Sequence, residues 1–252
     1  MKSPLKSNIH FNCFKKLNDL LSANSKISSF FLKDANLELA LANSGHLVIA
    51  HTNRLPIYEF WSAALQEAVG LARGVETILP IMDDEQFSVF QETWYLNPKQ
   101  NSRNVLFYIL NNCSEDGFAS SGKMNKSLLT PFVLSRLKKF KVENFYPYLD
   151  QCDDQIEAIE TAKKTDYILL PIGKYSLNLF EAGKNKGPDM YTFNHKDIHS
   201  RVKNIDKKCI LLYKSHPALF KMYAGFNITM VDKYGRLAST KDACEELIIA
   251  NF

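Results

Sequence analysis

The stretch 165–176, TDYILLPIGKYS, joins an apolar run to side chains that could do chemistry. The run Tyr167–Leu170 is typical of a buried strand, and it is followed by a corner made of Pro171, Ile172, Gly173, Lys174 and Tyr175. Ligands of open α/β sheets bind at the carboxyl ends of the strands, so this corner is the first candidate site. It holds no carboxylate, and Lys174 brings a positive charge where an acceptor of protons would be needed.

Two other patterns resemble ligand sites without meeting their requirements. His195 and His199, in HKDIH, have the helical spacing of some zinc ligands, but zinc needs three or four ligands and no third is nearby. Segment 180–188, FEAGKNKGP, has two glycines and two lysines but lacks the strand–loop–helix context of a phosphate-binding loop. We therefore expect no metal site and interpret 180–188 as a loop.

A basic cluster with an aromatic residue lies at 136–141, RLKKFK, behind a polar loop at 113–127. Two interpretations are open: a solvated helix face, or a surface that contacts phosphates. Asparagine and lysine on a glycine-flanked loop can also read base edges. If DNA is bound, the predicted DNA-contact set is Lys123, Asn125, Lys126, Arg136, Lys138, Lys139 and Lys141.

Composition sets only broad limits. The chain has 252 residues, 46% of them hydrophobic and 23% charged, which is typical of a globular protein. Its net charge of +4 permits contact with a polyanion without requiring it. Five cysteines without metal or redox spacing favour free thiols in a reducing compartment. The sequence has no signal-peptide core and no apolar window long enough to span a membrane, so we expect a cytoplasmic protein.

Apolar runs alternate with helical patterns along the chain, which predicts an α/β fold with a parallel-type, doubly wound sheet. Buried strands are expected at 46–51, 166–170, 208–214, 226–232 and 245–252, with an extended piece at 143–151. Helices are expected at 9–21, 56–72, 83–96, 101–112, 130–141, 152–164, 196–205 and 217–224. Residues 1–80 and 142–252 would form the α/β core, and 81–141 a mostly helical insert.

Six segments, in this order, resemble the Dam-type adenine-N6 DNA methyltransferases. They lie at 3–21, 46–64, 105–125, 192–202, 210–232 and 234–252, and the last three (TFNHKDIHSRV, ILLYKSHPALFKMYAGFNITMVD and YGRLASTKDACEELIIANF) are the most specific. The resemblance implies a Rossmann-like methyltransferase fold with a doubly wound mixed sheet. It also implies that the insert 81–141 recognises double-stranded DNA, and that S-adenosylmethionine is the cofactor if the protein is active.

The donor-binding motifs of that family are altered here. Its F-x-G-x-G turn corresponds to 29–45, SFFLKDANLELALANSG, which has no glycine before Gly45, so side chains would crowd the donor. An acid that binds the ribose hydroxyls is replaced by His51, which cannot offer a charged acceptor pair. Of the opening G-G-K element only Lys15 remains. We expect no bound cofactor.

The catalytic D-P-P-Y motif is altered as well. Its counterpart lies within LLPIGKY, where only Pro171 and, after a one-residue slip, Tyr175 match. The family's acid and proline carbonyl localise the lone pair of the adenine amine, and its tyrosine stacks on the flipped base. The corner Pro171–Tyr175 therefore looks degenerate, and we assign no catalytic residue.

The sequence thus predicts a catalytically degenerate methyltransferase-like protein that serves as a DNA-binding or partner-binding subunit. Its partner could be an active methyltransferase in a restriction-modification or phage-defence setting. Two alternatives stay open: an active, divergent S-adenosylmethionine-dependent adenine-specific DNA methyltransferase, and an assembly protein that binds neither donor nor DNA.

Overall fold

The computed structural model describes residues 2–7, 9–152, 157–159, 162, 164–176 and 187–252. Its centre is a seven-stranded sheet. The strands are β1 (Lys26–Ser29), β2 (Leu47–Thr52), β3 (Phe145–Leu149), β4 (Tyr167–Gly173), β5 (Cys209–Lys214), β6 (Asn227–Val231) and β7 (Glu246–Ala250).

The strand order is β3-β2-β1-β4-β5-β7-β6. Strands β1 to β5 are parallel, whereas β7 pairs antiparallel with both β5 and β6. The order reverses at β1, where the chain turns from winding one way to winding the other, which defines a doubly wound sheet. The predicted mixed sheet is confirmed. The candidate functional site lies at the carboxyl edge of the sheet, where β1 and β4 end.

Eight helices surround the sheet in the described part of the chain. They are α1 (Phe14–Leu20), α2 (Asn36–Asn43), α3 (Leu55–Ile78), α4 (Asp84–Thr93), α5 (Gln100–Cys113), α6 (Pro131–Lys138), α7 (His195–Asn204) and α8 (Pro217–Met222). Of the predicted helix 152–164, residues 153–156, 160, 161 and 163 lie outside the described residues, as does most of the predicted loop 180–188.

Local sequence explains where several helices begin. Asp83 and Gln86 form a capping box at α4, each side chain bonding the other's backbone N–H. The Thr130 hydroxyl accepts from the N–H of Val133, and proline occupies the first turn of α6. The helices α4 to α6 fall between β2 and β3, within the range 81–141 of the predicted helical insert.

Successive side chains along a strand of the sheet belong alternately to two hydrophobic clusters. Tyr167 and Leu169 of β4 face the cluster that holds α3 and α5, whereas Ile168 and Leu170 face the cluster that holds α7 and α8. Because the period of a strand is two, a continuous apolar run covers both faces at once. The helical insert is part of the first cluster, since α5 is buried against α3.

Candidate functional site

A cavity of about 570 Å³ opens at the carboxyl edge of the sheet. Five parts of the chain line it: the N-terminal segment 2–14, the β1 turn (residues 30–35) with the start of α2, the helical insert, the corner at Pro171 and Ile172, and Phe193. This volume is in the range of small-molecule sites. The cavity therefore lies where an α/β sheet places its ligands.

The β1 turn has a backbone that favours glycine but carries none. Phe31 and Ala35 have φ values of 64° and 54°, in the left-handed region. This conformation costs a non-glycine residue on the order of 1–2 kcal/mol. Phe31 is buried and its side chain lines the cavity. The turn at which the sequence predicts crowding of a donor thus lies at the cavity wall, and the crowding itself stays a prediction.

His51, which the resemblance aligned with a ribose-binding acid, has its partners inside the protein. The side chain lies near the end of β2 and is buried. Its Nδ1 lies 2.9 Å from Asp150 Oδ1 and its Nε2 lies 3.2 Å from Ser28 Oγ. Its ring stacks on Phe30 with centroids 4.3 Å apart. Both ring nitrogens are therefore used by neighbouring strands.

Tyr191 crosses the carboxyl ends of β1 and β2. Its hydroxyl donates to the carbonyl oxygen of Leu32 at 3.0 Å and contacts the hydroxyl of Thr52. Burial raises the pKa of this phenol, so it stays protonated and can act as a donor. Lys33 Nζ and the Arg54 guanidinium lie 5.7 and 5.4 Å from the ring centroid. Nothing in the local sequence around Tyr191 indicated this position.

Two carboxylates line the cavity, and sequence reasoning missed both. Glu38 is buried and accepts a hydrogen bond from Ser29 Oγ at 2.7 Å, and burial raises its pKa to about 7. Asp34 accepts from Ser7 Oγ at 2.7 Å and from the Asn36 N–H at 3.0 Å. An acid inside the apolar pattern LELAL was the available signal for Glu38, because such an acid is placed on a buried face.

The corner is a continuation of β4 rather than its end. The strand runs to Gly173, and Leu170 is fully buried. The backbone of Leu169 hydrogen-bonds towards β1. Pro171, two residues further along, faces the same side, but β1 has already ended there. The missing N–H of proline therefore breaks no hydrogen bond of the sheet, which is why proline is tolerated at 171. Gly173 has φ 86°, and a Cβ there would lie 2.6 Å from Ile9 Cδ1. The prediction that β4 ends at Leu170 is therefore wrong.

His195 and His199 belong to different aromatic contacts, and Tyr175 packs with His195. The Tyr175 ring lies between His195 and His216, at 4.6 and 4.7 Å, while Lys174 is exposed. His195 Nδ1 lies 3.1 Å from the Tyr213 hydroxyl, whereas the His199 ring contacts Tyr223. Burial lowers the pKa of His195. Within the described residues no three His, Cys, Asp or Glu side chains form a metal-binding group.

Three members of the predicted DNA-contact set have partners within the protein. Arg136 is half-buried, lines the cavity and stacks its guanidinium over Phe132 at 5.4 Å. Lys138 Nζ lies 2.5 Å from Glu76. The Asn125 amide oxygen accepts from the N–H of Ser127 and caps a short 3₁₀ helix. The other members, Lys123, Lys126, Lys139 and Lys141, are exposed, as is Lys138. Lys15, the remnant of the opening motif, is exposed on α1.

No protein-family model matches the sequence. No curated protein matches it either. Among solved structures the chain is similar to a TehB-like SAM-dependent methyltransferase from Corynebacterium glutamicum, with 7% identity and a TM-score of 0.40 over 95% of this chain and 86% of the other. It is also similar to a SAM-dependent methyltransferase from Neisseria gonorrhoeae, with 9% identity and a TM-score of 0.31 over 95% of this chain and 64% of the other.

The chain has a Rossmann-like fold with a doubly wound mixed sheet. Its mixed seven-stranded sheet, with β7 antiparallel between β5 and β6, agrees with the Rossmann-like methyltransferase fold that the sequence predicted. At TM-scores this low the two likenesses carry no argument, and the fold assignment rests on the order and direction of the strands. In the described ranges, no helix is long and apolar enough to cross a membrane.

Proposed function

We propose that this chain is a catalytically inactive protein of methyltransferase-like fold that binds duplex DNA, alone or beside an active methyltransferase. The proposal that the protein is inactive rests on the placement of Tyr191, which bridges Leu32 and Thr52 across the ends of β1 and β2. Bound nucleotides lie across these ends in doubly wound folds. A donor there would have to displace a half-buried side chain together with its hydrogen bonds.

His51, near the end of β2, supports the same conclusion. A ribose acceptor needs free oxygen lone pairs, whereas the imidazole is held by Asp150 and Ser28 and covered by Phe30. The corner supplies no carboxylate to localise the lone pair of an adenine amine. Both the donor contact and the catalytic contact of the related enzymes are therefore replaced.

Calorimetric titration with S-adenosylmethionine tests the inactive assignment. We expect no saturable heat from this protein, because its own side chains fill the ends of β1 and β2. A SAM-dependent methyltransferase measured under the same conditions serves as the positive control. Saturable binding with a dissociation constant below about 1 mM, equivalent to roughly 4 kcal/mol, would contradict the proposal.

DNA binding is proposed for the exposed part of the predicted DNA-contact set. Lys123 and Lys126 lie on the loop between α5 and α6, and Lys139 and Lys141 follow α6. An exposed lysine without a fixed partner is available to a phosphate, whereas Lys138 is already paired with Glu76. The lysines after α6 are therefore the sharper choice for a test.

Replacing Lys139 and Lys141 together with glutamine is expected to flatten the salt dependence of duplex binding by about two units, one for each lost phosphate contact. Fluorescence anisotropy of a labelled duplex over a salt series measures this slope. The control Lys164→Gln/Lys203→Gln removes the same charge near the amino ends of β4 and β5. Equal slopes for the unaltered protein and the Lys139/Lys141 variant would remove this surface from the proposal.

The cavity itself favours a second candidate, an active and divergent S-adenosylmethionine-dependent adenine-specific DNA methyltransferase. Its 570 Å³ is large enough for a small ligand, and Glu38 on its wall has a pKa of about 7, which suits proton transfer near neutral pH. Transfer of labelled methyl groups to adenine-containing duplex DNA by the unaltered protein would establish this alternative. A third proposal is an assembly role that does not involve DNA. A cytoplasmic location, which the five free cysteines favour, is a proposal as well.

A further inference from the structure

The turn between β6 and β7, residues 232–245, lies at the same edge of the sheet as the cavity. Since β7 is antiparallel to both β5 and β6, β6 runs in the same direction as β1 and β4. Its carboxyl end, Val231, therefore lies at the carboxyl edge. A Cβ on Gly235 would lie 2.5 Å from the carbonyl oxygen of Asn12. The β6–β7 turn thus touches the N-terminal segment that lines the cavity.

The tip of this turn presents an exposed tyrosine with two cations. Tyr234 is 68% exposed. Lys233 Nζ and the Arg236 guanidinium lie 5.1 and 5.8 Å from its ring centroid. The Asp232 carboxylate is held against the backbone, because it accepts from the N–H groups of Tyr234 and Arg236 at 2.8 Å each. Asp232 therefore stabilises the turn, whereas the side chains of Lys233 and Arg236 remain exposed.

The N-terminal segment connects this tip to the helical insert. His10 and Phe11 line the cavity together with Leu128 and Arg136 of the insert, while Asn12 touches the tip. The N-terminal segment thus touches the tip and shares the cavity wall with the insert, which carries the other group of exposed cations more than 90 residues away in the chain. A polyanion as long as duplex DNA can contact both groups at once, which a small anion cannot.

We propose that the β6–β7 turn is a second contact to duplex DNA, with Lys233 and Arg236 holding phosphates and Tyr234 lying against the sugar–phosphate backbone. Lysine, arginine and tyrosine are among the side chains that make such positioning contacts. This inference rests on the proposed DNA binding and adds a surface that the predicted DNA-contact set does not include.

Replacing Lys233 and Arg236 together with glutamine tests the inference. We expect the salt slope of duplex binding to fall by about two units and the affinity at 100 mM salt to fall about tenfold or more. Replacing Tyr234 with alanine should weaken binding with little change of slope, because no charge is lost. All three side chains are exposed, so the variants should unfold at the temperature of the unaltered protein.

The control is again Lys164→Gln/Lys203→Gln, an equal loss of charge at the opposite edge of the sheet. An unchanged slope in the Lys233/Arg236 variant, while the unaltered protein binds the duplex, overturns the inference and leaves the proposed function in place. Equal losses in this variant and the control also overturn it, because they would reflect net charge alone. A protein that shows no duplex binding at all overturns the proposed function itself.

Discussion

Replacing Arg103 with methionine is expected to lower the free energy of unfolding by about 3–5 kcal/mol. Arg103 of α5 makes a bidentate ion pair with Glu59 of α3, with nitrogen–oxygen distances of 2.9 and 2.5 Å, and donates to the Asn97 carbonyl. Only 16% and 9% of the two side chains are exposed. Removing the guanidinium would leave a shielded carboxylate without its partner, and that desolvated charge is what destabilises the fold.

The double variant Arg103→Met/Glu59→Leu is the matched control. It removes both charges and fills the space with apolar atoms, so most of the lost stability should return. Denaturant unfolding of both variants measures the difference. A single variant that unfolds within 1 kcal/mol of the unaltered protein would show that the pair does not hold the helical insert to α3.

The strands and helices that follow local patterns could be predicted from the sequence. The central strands β4 and β5 are continuous apolar runs, and α4 carries its capping residues in the sequence itself. Helix α2 (Asn36–Asn43) and the first strand were not predicted. The sequence of that strand, KISS, has one large apolar residue, and its serines are buried because Ser28 and Ser29 bond to His51 and Glu38. No periodicity can show that a serine is buried for its hydroxyl.

The sequence predicts where the candidate site lies but not which side chains form it. The carboxyl edge follows from the alternation of strands and helices. The side chains of the site are held by contacts between residues that are far apart in the chain: His51 and Asp150 are 99 residues apart, and Tyr191 and Leu32 are 159 residues apart. Such contacts are set by the tertiary fold, so a pattern within a short window carries no information on them.

Grafting the catalytic motif onto β4 is expected to fail in both folding and chemistry. The variant Leu170→Asp/Ile172→Pro/Gly173→Tyr writes DPPY over LPIG. Because strand ends of α/β sheets lie at the surface of a crevice, the sequence alone predicts that such a graft is tolerated. Leu170 is in fact fully buried, so an aspartate there would be an unpaired buried charge. The tyrosine would need φ 86° and would collide with Ile9.

We therefore expect the graft to lower the free energy of unfolding by more than about 4 kcal/mol, a fall in melting temperature of roughly 8–16 °C for a chain of this size. The control Lys174→Asp places a carboxylate at the exposed residue beside the corner and should change stability little. Neither variant should transfer labelled methyl groups to adenine, because the donor would still have to displace Tyr191 to come within reacting distance. A graft that melts with the unaltered protein would mean that Leu170 and Gly173 are less confined than their contacts require. Transfer by the graft alone would mean that a donor can reach the corner past Tyr191, and the inactivity would then come from the missing carboxylate.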